Sequence, residues 1–275
     1  MTRLGLGPVG VTLDVRADGG HLEDAVLLEH LGYATLWIAG GQLATLDPLR
    51  DVVLATERIR VGSAIIPARV HPPEDVVAFR RDLEATAPGR LITGLGGVQG
   101  GRPLHTMNAY LDQLDAADPP VPPGARVLAA LGPRMLELSR DRAAGALALL
   151  VTPEFTANAR AALGEEAALV VMEYVVVETD PRRARDAVRE PVGFLSRVGG
   201  YPENLRRMGF TDEDLAETSD RLIDGVVAWG DVDAVAARVR RHLAAGADQV
   251  VLAVRPTGPD SVPRAEWRAL AAALG

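Results

Sequence analysis

A (β/α)8 barrel is the fold this sequence predicts, and three observations predict it. Eight short apolar runs are spread along 275 residues. Between them lie segments with apolar residues at three- and four-residue spacing, the period of a helix with one buried face. The joint from helix to strand also repeats: a helical segment, a glycine, then an apolar run, as in HLGYATLWI, DRAAGALALLV and HLAAGADQVVLAV. Glycine there supplies the left-handed turn at a helix C-terminus, and repetition of one joint marks repeated βα units. Strict alternation of strand and helix gives an α/β fold with parallel strands. An open doubly wound sheet shares these features; the number of runs and the chain length favour the closed barrel.

In order, the runs are GPVGVTL near residue 7, TLWIAG at 35, RVGSAII at 60, RLITGLG at 90, RVLAALG at 126, GALALLV at 145, ALVVMEYVVV at 168 and QVVLAV at 249. Near-continuous apolar runs suit strands covered on both faces. Aromatics are only 4% of the chain, so Ala, Val, Leu and Ile are expected to build the core. After the strands come Asp47-Pro48, Pro72-Pro73, Gly132-Pro133, Thr152-Pro153 and Asp180-Pro181. A capping residue followed by proline starts a helix. Such starts fall on the C-terminal rim, where barrels place their sites. Roughly seventy residues separate the seventh run from the eighth, whereas a simple βα unit runs near ~30. That stretch reads as inserted helices broken at Gly199-Gly200 and Tyr201-Pro202: a lid, a homodimer interface, or both. No linker divides the chain, so residues 1–275 read as one domain.

Composition excludes several functions. The net charge of −8 argues against a nucleic-acid surface. With no cysteine there are no disulfides, thiolate metal sites or cysteine nucleophiles. The five histidines lack metal-ligand spacing, so no metal is expected. No apolar stretch reaches the ~18 residues of a membrane span, and the N-terminus lacks a secretory apolar region. The expectation is a cytoplasmic protein acting on a small molecule.

The fourth run ends in TGLGGVQGGRPLH, with Gly94, Gly96, Gly97, Gly100 and Gly101 close together. Glycine lets a backbone approach a ligand and leaves amide N–H groups free for an anion; a flexible strand-to-helix loop is the plainer reading. The spacing is neither a dinucleotide fingerprint nor a Walker motif. Arg69, Arg102 and Arg134 follow strand ends. Arg134 sits at a helix start, where a cation opposes the macrodipole unless an anion is near; a solvated rim arginine is the alternative. Thr152 with Glu154 reads as an ordinary cap. Asp14, His71 and His105 are the proton-handling candidates, with His71 and Asp14 foremost. Glu173, amid the apolar seventh run, either faces the interior with a partner or lies exposed. Pro67 is a candidate for a cis bond, with strand termination the alternative.

Several stretches together resemble the luciferase-like monooxygenase family, and within it the oxidoreductases that use coenzyme F420. They are LEDAVLLEHLGYATLWIAG, ATERIRVGSAI followed by PGRLITGLGG, VLAALGPRMLELSRDRAAGALALLVTPEFT, VETDPRRAR, NLRRMGFTDEDLA and SDRLIDGVVAWGDVDAVAARVRRHLAAGADQVVL. The similarity spans nearly the whole chain, through order and spacing rather than one motif. The resemblance implies a (β/α)8 barrel with a deazaflavin or flavin across its C-terminal mouth and hydride transfer as its chemistry. It implies a third-strand bulge, often with a non-prolyl cis peptide, here at Ile65, Ile66, Pro67 and Ala68. It places cofactor contacts at Gly94, Gly96, Gly97, Gly132 and Thr152, with Arg102 or Arg134 toward an anionic tail. The chain departs from the family pattern at Ala146, Leu147 and Ala148, where relatives carry polar residues, at Phe155 in place of histidine, at Pro67 and in a short loop after the fourth strand. The expected activity is hydride transfer between F420 and a small organic substrate. An FMN-dependent monooxygenase of the same fold and a barrel without redox cofactor are the alternatives.

Overall fold

The computed structural model describes residues 4–98, 102–258 and 261–275. Ten strands form: β1 (Val9–Thr12), β2 (Thr35–Ala39), β3 (Arg60–Ala64), β4 (Ile66–Pro67), β5 (Leu91–Gly96), β6 (Arg126–Ala129), β7 (Gly145–Leu149), β8 (Ala168–Val177), β9 (Val227–Gly230) and β10 (Gln249–Val254). All pairings are parallel, and β10 pairs with both β8 and β1, which closes a (β/α)8 barrel. The eight apolar runs are its eight staves, with β3 and β4 serving as one stave broken at Ile65. The peptide Ala64–Ile65 at this break is cis. The residues alone pointed to Pro67 for a cis bond; at this stave the cis bond lies two residues earlier and is not prolyl, the kind of peptide the family resemblance implied here.

Strand alternation sorts the side chains into two layers. Leu36, Ile38, Val61, Leu95, Leu128, Val171, Val250 and Leu252 join the helices in one core. Trp37, Ile92, Val127, Leu147, Val170 and Val251 fill the interior with the other. The expectation of a purely aliphatic core therefore needs correcting: Trp37, fully buried, is the largest side chain inside the barrel. Its indole N–H donates to Thr35 Oγ1 at 2.8 Å and Gln249 Oε1 at 3.1 Å. A side-chain carbon on Gly62 would stand 2.4 Å from its ring, so that glycine makes room for it. Below, the Gln249 amide donates to the Gly7 carbonyl at 2.8 Å and Arg60 reaches the Leu4 carbonyl, so the N-terminal segment plugs the bottom.

Glu173 is neither interior nor exposed. It points outward from β8 into the helix layer and is buried with His242 and Arg238 of the helix Val232–Ala244. Arg238 Nε donates to Oε1 at 3.2 Å. His242 Nε2 lies 3.2 Å from Oε2, a contact not aligned as a hydrogen bond. Thr156 Oγ1 and His242 Nδ1 are 2.8 Å apart.

Between β8 and β10 lie the helices Pro181–Leu195, Tyr201–Arg207, Asp212–Glu217 and Asp220–Val226, then β9. The inserted segment is thus not wholly helical. β8 is ten residues long and outlasts β7, and β9 pairs with its last four residues, Tyr174 to Val177. Thr211 and Asp214 form a capping box. Asp214 also accepts from the Ser219 hydroxyl at 2.6 Å and meets Arg221. The Ser219 hydroxyl, the Thr211 amide and Arg221 hold the Asp214 carboxyl down at about 2, from an ordinary 3.8. A depressed carboxyl contributes stability above its unfolded pKa and loses it as pH falls through its folded one. Acid unfolding followed by circular dichroism should therefore show Asp214→Asn less stable than the parent above about pH 4, with the gap closing as pH falls toward 2. A gap that persists unchanged at the acid end would contradict this.

No helix of the described residues is long and apolar enough to cross a membrane.

Candidate functional site at the barrel mouth

The C-terminal ends of the staves converge on a small, apolar floor. Ala39, Ala64, Ile65, Ala129 and Leu149 all stay partly exposed there, while most neighbouring strand residues are buried. The inserted segment leans on the rim: Tyr201 and Met208 pack against the interior core together with Ile65, Leu149 and Trp229. Leu150, at the end of β7, has φ +56° although it is bulky and buried. Such left-handed residues are costly and gather at sites that the surrounding structure over-determines.

The glycines at the end of β5 serve the chain itself. A side-chain carbon on Gly94 would lie 1.9 Å from the Ser63 carbonyl oxygen. The Ser63 hydroxyl accepts from the Gly94 N–H at 2.8 Å and donates to its carbonyl at 2.9 Å. Gly94 is therefore a strand-packing residue rather than an open cradle. On Gly96 the same carbon would meet Ala129 Cβ at 2.8 Å and Ile65 Cδ1 at 3.1 Å. On Gly97, where φ is +69°, it would meet Ile65 Cδ1 and Pro67 at 3.3 Å. These two glycines let Ile65 lie across the strand end, where it stays partly exposed. Ile66 turns the other way, buried in the helix-side core, which removes it from the floor. Pro67 is buried, and Ala68 is half-buried with its N–H on the Gly96 carbonyl at 2.8 Å. Gly100 and Gly101 lie outside the described residues. Arg102, beside them, is exposed.

Three proline-led helices open onto the rim after β6, β7 and β8, and they differ. Thr152 caps its helix by accepting from the Phe155 N–H at 3.2 Å. Asp180 caps the next, accepting from the Arg182 and Arg183 N–H groups at 2.9 and 3.0 Å. Gly132 offers no side-chain cap to Pro133–Arg142. Asp47, expected as a cap, is instead the first residue of its helix, and Leu46 holds the cap position. At the bare Gly132 end, Arg134 is exposed. Arg207, from the insertion, stands where a carbon on Gly132 would lie 3.7 Å from both its terminal nitrogens. Its Nη1 donates to Asn204 Oδ1 at 3.4 Å, and the Asn204 amide nitrogen is buried without a partner. Two guanidiniums at a helix N-terminus that has no acidic residue in its first turn form an anion-attracting corner. Sequence reading found Arg134 but not Arg207, which only the path of the insertion brings there.

The opposite edge of the mouth is polar. Asp14 is exposed; its Oδ1 accepts from Gln42 Nε2 at 2.7 Å and its Oδ2 from Arg255 Nη1 at 3.5 Å. Arg255 lies over the Tyr174 ring, 5.3 Å from its centroid. Burial raises the Tyr174 hydroxyl pKa, and the Arg255 charge and hydrogen bond work against that rise. Burial, with the nearby Tyr174, raises the Tyr201 hydroxyl as well. His71, the first-choice proton carrier from sequence, is buried rather than exposed, with Nε2 2.8 Å from the Leu43 carbonyl. Its own carbonyl accepts from the Tyr110 hydroxyl at 2.9 Å. His71 thus ties the loop after β2 to the loop after β4. His105 is exposed on the helix Pro103–Ala116.

Of the three residues at which the sequence departs from the resembled pattern in the sixth run, Ala146 and Ala148 face the helix layer and only Leu147 faces inward. A separate cleft of about 290 Å³ lies at the other end of the barrel, between Val77, Arg80, Glu84 and the Pro119–Pro122 turn. Helix-to-strand joints occupy that end, away from the rim where barrel chemistry is placed.

No protein-family profile matches this sequence, and no curated protein matches it. Solved structures match over almost the full length. An F420-dependent secondary alcohol dehydrogenase in complex with an F420–acetone adduct is 15% identical with a TM-score of 0.70, over 98% of this chain and 99% of its own. The coenzyme F420-dependent tetrahydromethanopterin reductase from Methanopyrus kandleri is 18% identical with a TM-score of 0.69, over 96% and 98%. The oxygenating constituent of 3,6-diketocamphane monooxygenase from Pseudomonas putida, in complex with FMN, is 13% identical with a TM-score of 0.68, over 96% of each. At this identity the likeness establishes the fold. That fold is the (β/α)8 barrel the sequence predicted, and the solved structures that share it here are a dehydrogenase, a reductase and a monooxygenase.

Proposed function

We propose that this chain is an oxidoreductase that binds coenzyme F420 across the mouth and serves hydride transfer to or from a small organic substrate. The observation that carries this reading is the pairing of a flat apolar floor with an uncapped, arginine-flanked helix N-terminus at one side. That donor set fits a planar ring with an anionic tail. Bound F420 would supply the hydride chemistry. Ile65, Ala129 and Leu149 would seat the ring and keep water from it. The Arg134 N–H and guanidinium, with Arg207, would hold the tail. Thr152 would contribute backbone only, because its hydroxyl is committed to the cap. FMN, with a shorter anionic tail, would use the same floor and corner. The second reading, a barrel without redox cofactor, is favoured by the way Ile65 already fills the space above Gly96 and Gly97.

Gly132→Asp tests the corner without disturbing the fold. Gly132 has φ −92° and ψ 156°, an ordinary cap geometry, and a Cβ added there would meet nothing closer than 3.7 Å. Aspartate would cap the helix, adding a few tenths of a kcal/mol or more, and would pair with Arg207. Calorimetric titration with F420 and, separately, FMN should show tight binding of one of them to the parent. The variant should lose at least about tenfold (~1.4 kcal/mol) while its melting temperature holds or rises. Binding of neither cofactor by folded parent protein rejects the redox reading. Unchanged binding by the variant rejects the corner.

A further inference from the structure

The polar edge of the mouth contains an arginine whose hydrogen-bonding capacity is mostly unused. A guanidinium carries five N–H donors in a fixed planar fork. In Arg255 one nitrogen reaches Asp14 at 3.5 Å, the outer limit of a hydrogen bond, the guanidinium also bonds the Tyr174 hydroxyl, and Nε is buried without a partner among the described residues. Asp14 leans instead on Gln42, at 2.7 Å, and most of it faces solvent. Arg255 is nevertheless held firmly. Its backbone N–H donates to the Val175 carbonyl at 2.7 Å, and its plane rests on Tyr174. A preorganised cation with spare donors, one-third exposed beside an apolar floor, is built to receive an anion rather than to stabilise the fold. The surroundings agree. Tyr174 and Tyr201 flank the spot, and burial favours their protonated, donating forms. Among the described residues Asp14 is the one acidic side chain paired with Arg255.

We infer that Arg255, stacked on Tyr174, anchors a carboxylate carried by the substrate. The fork would take both carboxylate oxygens, and a phenol would take a remaining lone pair. The rest of the substrate would lie against the face of the ring that the floor leaves open, on the side toward Arg255. This rests on the mouth being the binding site, as proposed above, and adds the substrate class: small organic acids.

The test uses two nearly isosteric probes, benzoate and neutral benzamide, titrated into the full-length protein and followed by saturation-transfer NMR. Benzoate should bind at least tenfold more tightly than benzamide. Arg255→Gln should weaken benzoate at least tenfold, Arg255→Lys should retain part of the binding, and Tyr174→Phe should weaken it several-fold. Arg207→Gln, on the other side of the mouth, should leave benzoate binding intact. Circular dichroism melts of each variant guard against a folding defect, and the lysine variant keeps the charge should the glutamine variant fail to fold. The inference fails if benzoate and benzamide bind alike, if folded parent protein binds no benzoate, or if Arg207→Gln is the variant that loses it. The two proposals separate cleanly. Benzoate binding that depends on Arg255, with neither cofactor bound, rejects the redox reading alone; F420 binding without benzoate rejects this inference alone.

Discussion

Trp37→Ala should cost about 3–5 kcal/mol of folding stability, the range for emptying a large aromatic from a packed core. The magnitude follows from three features of the site. The side chain is fully buried inside the barrel, where eight strands fix the wall and limit collapse into the space left behind. Its neighbour Gly62 has no side chain with which to refill that space. The indole also satisfies the polar pair Thr35 and Gln249. Trp37→Phe separates the contributions. Thr35 Oγ1 still donates to Gln249 Oε1 at 2.8 Å, so no buried group is orphaned outright, and the loss should shrink to roughly 1–3 kcal/mol. Guanidinium denaturation followed by far-UV circular dichroism measures both. Equal losses for the two variants would show that the polar contact, not the ring volume, dominates.

Removing the Glu173 carboxylate should be nearly as damaging. In Glu173→Ala, Arg238 and His242 remain in the helix layer with no anion between them, and breaking a buried ion pair from one side costs about 3–5 kcal/mol. The pair itself is not the source of stability. Charges taken out of water recover little more than their desolvation, and a well-shaped apolar replacement is often neutral or better. Replacing Glu173 with Met, His242 with Leu and Arg238 with Met together should therefore restore most of what the single variant loses. Denaturation midpoints compared at one pH decide the matter. A single variant costing less than about 1 kcal/mol would place this cluster with surface ion pairs, whose worth is small.

The two residues also show where sequence reading succeeds and where it stops. All eight staves were legible, because each is a short, largely apolar run and most follow a helical segment, three of them through the same glycine joint. Continuity hides direction, however. In ALVVMEYVVV nearly every side chain is buried, so no alternation reveals which residues face inward. That is why Glu173 was left open between two placements, neither the observed one, and why Tyr174 at the mouth went unremarked. The glycines of β5 misled for a related reason. A missing side chain makes room, but the sequence does not say whether a ligand or the chain's own Ser63 and Ile65 takes the room. Gly132, Thr152 and Asp180 were correctly placed at helix starts. Whether each start is capped depends on the side chain, and only glycine leaves its end bare. Arg207 reaches the mouth through tertiary path alone, brought by the insertion, whereas Arg255 directly follows the last strand and stands at the rim by the same rule as Arg134.

That closure has a consequence for how the protein is made. The seam joins Val9 to Val250, across almost the whole chain. Until the last strand leaves the ribosome, β1 and the part of β8 before Tyr174 lack a partner strand on one side, and an exposed edge invites pairing with another chain. Chain entropy adds little to the delay, since loop closure grows only slowly with length. The waiting time is set by synthesis, at ~5–20 residues per second. Over that interval the nascent barrel is an open, apolar sheet, and the segment that delivers β10 decides when its exposure ends.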